Sequence, residues 1–343
     1  MEQLDYSELQ DAVEQLLPGD FPVTFEELLE SLLSGEHGGL AGIAAEIAEW
    51  FFTAVTFPVE QGVRLLLLIL FSSLFSNLSK AFSRDGTAHM GLLCVHLLLA
   101  AHMATMFSSA LAVTAEGMEN LCTFVTVLLP TYCISVAMVT GSVTAVGYYQ
   151  GTAFLLGVFQ FLARFCLLPL AQSYLILSFA SCVQKKPVFE KLLELIAQLF
   201  GWIKKTLLAV ALAFGAVQGI LCPAIDQLKR NTLIHSASVI PGVGNLVGGA
   251  WETVLGAGTI LRNAIGIGGV VILFLIAALP ICHLALQCLL YRILGAVTEP
   301  LAQNITMNLL QHAETAQKLL LQTISLGMLL FLLLLVVMTR IST

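Results

Sequence analysis

Residues 241–294, PGVGNLVGGAWETVLGAGTILRNAIGIGGVVILFLIAALPICHLALQCLLYRIL, decide the fold. The first part is punctuated by glycine, which supplies nine of the 29 residues from 241 to 269. The second part is apolar: the 29 residues between Arg262 and Arg292 include no Asp, Glu, Lys or Arg. About 20 apolar residues already cross the hydrocarbon core of a bilayer. The pattern predicts a glycine-rich loop over 241–269 that feeds a membrane helix. Glycine at this density lets backbones approach closely, so the loop is expected to line a path or to pack against another helix.

The rest of the chain reads the same way. Of its 343 residues, 58% are hydrophobic and 11% charged, where a soluble domain carries about a quarter charged. Charge-free runs cover 65–79, 86–115, 120–163, 165–184, 206–225, 263–291 and 319–339. The run 120–163 is long enough for more than one crossing, which makes about seven or eight membrane segments. Period-two alternation is absent and lipid satisfies no backbone hydrogen bond, so the segments are helices. The expected fold is an all-α polytopic membrane protein, some of its segments kinked or re-entrant.

Charge divides the chain. Residues 1–60 carry 13 acidic side chains and no Lys or Arg, whereas 61–343 carry 9 acidic and 15 basic ones, a net of +6. The sequence thus predicts an acidic, amphipathic, extracytoplasmic segment over 1–60 and a polytopic transmembrane domain over 61–343. Within the first, helical spacing runs from Tyr6 to Leu17. Thr24 and Glu27 then make a capping box ahead of a second short helix, and 40–56 is amphipathic. Met1 is followed by Glu2, Asp5 and Glu8, without the basic and apolar regions of a signal peptide. Either such a segment has been removed or the first span exports the acidic end unaided.

Further along, Glu116 and Glu119 are read as a turn between two spans, and GYYQG at 147–151 as a turn with interfacial tyrosines. The piece 152–183 exceeds one upright helix and holds Arg164 and Pro169 in its middle. It is a tilted, kinked span or a re-entrant pair, with Arg164 facing protein or water, or sitting at the hairpin's turn. The segment 184–205 places five lysines near a membrane face, which favours the cytoplasm.

Several residues admit two readings. Gly242, Gly244, Gly248, Gly249, Gly256 and Gly258 either form a re-entrant lining or serve turns and close helix packing. Pro130, Pro169 and Pro280 are helix breaks at a transport site or simple kinks. Arg164, a charge within an apolar run, is a functional-site hypothesis by default. Glu252 and Arg262 pair, face a passage, or are solvated loop residues. The seven histidines include no His-Glu-x-x-His and the eight cysteines no Cys-x-x-Cys, so they are read as packing residues. No nucleophile elbow and no phosphate-binding Gly-Lys-Ser sequence occurs. No enzyme activity, metal, cofactor or nucleic-acid partner is expected.

Five blocks in order, FEELLESLLSGE (25–36), NLSKAF (77–82), LLPTYCISVAMVTGSVTA (128–145), VIPGVGNLVGGAWETVLGAGTILRNAIGIGG (239–269) and LLYRILGAVTEPL (289–301), resemble stage III sporulation protein AE of endospore-forming bacteria. The resemblance covers nearly the whole chain. It implies a multi-pass protein of the mother-cell membrane around the forespore, part of a channel or feeding apparatus that joins the two cells. The implied partners are membrane lipid, the stage III sporulation proteins AF, AG and AH, and stage II sporulation protein Q. A homo-oligomer is expected. The alternatives are a stand-alone permease with a midplane substrate site and a structural assembly platform.

Overall fold

The computed structural model describes residues 56–82, 86–139, 142–183, 189–237, 244–300 and 303–340. The acidic segment expected over 1–60, with its short helices and its orientation, lies almost wholly outside them. The described chain forms α1 (Thr56–Phe82), α2 (Gly86–Val139), α3 (Ser142–Leu162), a π turn (Ala163–Leu167), α4 (Leu168–Val183), α5 (Glu190–Ala237), α6 (Gly244–Thr298) and α7 (Asn304–Arg340). The described residues contain no strand. The all-helical expectation holds, as a chain that must satisfy its own backbone in lipid requires.

The helices are longer than the sequence suggests. α2 has 54 residues and α6 has 55, so each extends about 80 Å, more than twice the ~30 Å hydrocarbon core. Five helical stretches among the described residues are long and apolar enough to cross a membrane: Met90–Val139, Ser142–Cys182, Glu190–Gln218, Gly258–Thr298 and Asn304–Val336. The expected count of seven or eight is not confirmed among these residues: the runs expected as separate spans over 86–115 and from 120 onward share the single helix α2. A charge interrupts an apolar run without interrupting a helix, because Glu, Arg and Lys are good helix formers.

Three expected turns are therefore helical. Glu116 and Glu119 lie inside α2, and GYYQG lies inside α3. The glycine-rich loop expected over 241–269 is, from Gly244 onward, the first half of α6. Glycine costs about 1 kcal/mol against alanine inside a helix, and close packing offsets that cost at Gly258 and Gly269. A Cβ on Gly258 would lie 3.1 Å from Val139 Cγ2, and one on Gly269 would lie 2.8 Å from Leu128 Cδ2.

The piece 152–183 is no hairpin. It runs as one helical path through the π turn, in which the Leu168 N–H donates to the Ala163 carbonyl five residues back. Pro169 explains this local widening. It has no N–H to donate, and its ring crowds the carbonyl four residues earlier.

α7 lies at the centre, packed by α6, α2, α4 and α5. α2 runs antiparallel to α6, with Gly117 against Pro280, Leu128 against Gly269 and Val139 against Gly258. α3 and α4 run antiparallel to α7, with the Phe159 ring over Gly327 and Tyr174 beside His312. α5 is joined to α7 by Lys204 Nζ, which donates to Gln322 Oε1 at 2.9 Å. These registers place Glu116, Glu119, Arg164, Lys204 and Lys205 at one height, a belt level with residues 322–326 of α7. Below the belt lie the apolar run of α2 from 120, all of α3, α5 from 206, the first half of α6 and the second half of α7. Above it lie α1, α4 and the other halves. The hydrophobic core is continuous through both storeys, from Leu65 and Ile69 above to Ile265 and Leu335 below.

Candidate functional site

The sequence-predicted residues do not converge on one place. Gly242 lies outside the described residues, and Gly244, Gly248 and Gly249 belong to the first two turns of α6. Gly258 is a close-packing position against α2, whereas a Cβ on Gly256 would meet nothing within 4 Å. Two glycines on one helix thus divide between packing and open surface. None of the three prolines ends a helix: Pro130 and Pro280 lie inside α2 and α6, and Pro169 is the second residue of α4. Pro280 is buried against Gly117, and Pro130 is exposed.

Arg164 and Arg262 exchange the roles that hydropathy suggests. Arg164, inside an apolar run, is exposed on the π turn. Arg262, read as a flanking loop residue, has 2% of its surface exposed and is among the largest fully buried side chains. Its Nη2 donates to Asn263 Oδ1 at 3.3 Å. On α2 and α3 lies a pair of buried tyrosines, with the Tyr132 and Tyr148 ring centroids 6.3 Å apart and edge to face. The Tyr148 hydroxyl donates to the Leu334 carbonyl at 2.9 Å and so joins α3 to α7. A small space of about 10 Å³ lies between Tyr132, Tyr148, Thr152 and Phe331, room for about one water.

The upper storey holds the densest polar chain, and no sequence motif marks it. Gln287 and Gln317 are 1% and 0% exposed. Gln317 Nε2 donates to Gln287 Oε1 at 2.5 Å, and the Gln287 amide lies 3.2 Å from His283 Nε2. One turn further up, Glu314 takes Arg292 Nε at 2.8 Å and Lys318 Nζ at 2.6 Å. Gln303 Nε2 donates to Ser76 Oγ and ties the α6–α7 connection to α1. The available signal was spacing: His283 and Gln287 are four apart on one helical face, as are Glu314 and Lys318. Amides serve as donor and acceptor together, so this chain locks α6 to α7 in one register.

The outward faces carry what the interior does not use. On α3, residues Ala153, Phe154, Gly157, Val158, Phe161 and Leu162 line an open apolar groove of about 420 Å³. Its last lining residue, Leu162, is two residues from Arg164.

The chain matches the family model described as Stage III sporulation protein AE over residues 23–342. It is similar to the Stage III sporulation protein AE of Bacillus subtilis (strain 168), with 25% identity over 238 residues. That alignment covers 69% of this chain and 60% of the relative's length. No solved structure matches the chain.

Proposed function

The chain belongs to the stage III sporulation protein AE family, and from this premise we propose that it is a membrane component of the complex that joins mother cell and forespore. In this reading the lower storey occupies the mother-cell membrane. Its apolar segments on α2 (120–139), α3 (142–162) and α5 (206–225), each of about 20 residues, match the ~30 Å hydrocarbon core. The acidic segment before α1 is extracytoplasmic, and the chain assembles as a homo-oligomer with the stage III proteins AF, AG and AH and stage II protein Q. Small molecules pass with the help of those partners. The observation that carries the reading is a family match spanning nearly the whole chain together with five span-length helices.

Packing favours passage between copies over passage through one. The space beside Tyr132 has room for about one water, and Gly258 and Gly269 close the seam between α6 and α2. A stand-alone permease needs a polar midplane cavity, whereas Arg164 is on the outside.

The test is affinity capture of the tagged chain from sporulating cells. Vesicles rebuilt from the captured complex are then loaded with a small fluorescent solute. Recovery of other stage III proteins together with solute release supports the reading. Capture of the chain without them, in cells that still form spores when it is deleted, overturns it.

A further inference from the structure

We infer that the height-matched charges on the outer faces of α2 and α3 pair between two copies of this chain, Arg164 of one meeting Glu116 and Glu119 of the next. The inference rests on the homo-oligomer proposed above and names its interface.

The heights follow from contacts along α7. Gly117 packs against Ile324, so its neighbours Glu116 and Glu119 are level with residues 323 and 326. Phe159 lies over Gly327 and Tyr174 is beside His312. Arg164 falls between those two anchors, level with residue 322. At about 1.5 Å per residue, the three charges lie within about 6 Å of one another along the bundle axis.

All three point outward. Glu116 and Glu119 are exposed beside Gly117, which faces the core, and Arg164 is exposed between Phe161 and Phe165, which are exposed as well. Among the described residues, the ion pairs are Arg64–Glu60, Arg292–Glu314 and Lys318–Glu314, so none engages these three.

The surfaces around them need a cover that one bilayer cannot supply in full. Ser142–Cys182 is 41 residues long, about 60 Å of helix against ~30 Å of hydrocarbon. It exposes Phe154 and Phe161 below Arg164 and Ile176 above it. Directly below Arg164, the α3 groove has Ala153 and Gly157 on its floor, and a Cβ on Gly157 would meet nothing within 4 Å. A helix can approach closely there.

Self-complementarity selects a second copy as the occupant. Opposite charges at equal height on two different outer helices meet when one copy is rotated about an axis parallel to the bundle. That operation builds a head-to-tail interface, which closes into a ring when the rotation closes.

The test uses the full chain in detergent, with mass read by light scattering. Arg164→Glu alone and the double variant Glu116→Lys/Glu119→Lys alone are each expected to lose the wild-type oligomer. When the two are co-expressed with different tags, the glutamate introduced at position 164 of one copy meets the lysines introduced at positions 116 and 119 of the other. The tags should then co-purify and the mass should return to the wild-type value. That recovery also shows that neither variant is misfolded. Wild-type mass in each single preparation overturns the pairing while leaving the oligomer intact. Loss in both without recovery on mixing also overturns it, since a pair within one copy gains nothing from a second. A monomeric wild type removes the interface and the homo-oligomer together, while capture of the sporulation proteins tests the complex separately.

Discussion

Below the belt the α2–α6 seam is held by shape, and above it the α6–α7 seam is held by polar bonds. The lower seam between α2 and α6 is closed by Gly258 under Val139 and Gly269 under Leu128, with Tyr148 supplying a hydrogen bond to α7. The upper seam between α6 and α7 is closed by Gln287, Gln317 and the Glu314 ion pairs. Lipid is as apolar as leucine, so helices in a bilayer gain little by burying apolar surface and associate through close fit. Where buried polar groups do occur, each must be satisfied. The two seams of α6 apply these two solutions to one helix.

The largest effect that would break this comparison is a steric one. Leucine at Gly151 would collide with the Phe214 ring of α5, and leucine at Gly258 with Val139 and the Met138 Cβ. Each is expected to cost about 1–3 kcal/mol or more through overpacking, read as a lowered unfolding temperature in detergent. Gly256→Leu on the same helix has open space and should leave that temperature unchanged or raise it, since leucine is the better helix former. Equal effects at 256 and 258 would remove the distinction between the packed and open faces of α6.

In the upper storey, Gln317→Leu leaves a buried Gln287 carbonyl without its donor, at a cost of about 1–3 kcal/mol. The double variant Gln287→Leu/Gln317→Leu should recover much of that loss, because removing both partners leaves fewer polar groups to desolvate. A double variant as unstable as the sum of the singles would mean that the amides act independently. Tyr148→Phe removes one buried hydrogen bond to Leu334 and should cost about 1 kcal/mol, measured by denaturant titration. The smallest effect belongs to Arg292→Ala. Its side chain is 68% exposed beside Glu314, so the loss should stay below about 1 kcal/mol and shrink in salt.

Hydropathy made the class of the fold legible, because a chain with 11% charged residues admits few alternatives. Helix continuity was not legible. Glu116, Arg164 and Lys204 look like breaks between spans when each is read along its own helix. They share a height only once the helices stand side by side. The glycines of α6 announced close approach, but Gly256 and Gly258, two residues apart, differ in what stands opposite, and sequence spacing holds no information on that. The burial of Arg262 is hidden for the same reason. It follows a glycine cluster that resembles a loop, and the helix through that cluster turns its side chain inward.

The continuity of the helix through Arg164 decides between this architecture and the re-entrant hairpin that the sequence also allows. Spin labels at Phe154 and Ile176, both outward-facing, measure it by dipolar spectroscopy in a preparation diluted with unlabelled copies and freed of other reactive cysteines. The roughly 22 intervening steps of a continuous helix predict a separation of about 33 Å. A separation near 10 Å, as expected for two helices packed side by side across a turn, would contradict it and fold the upper storey back onto the lower.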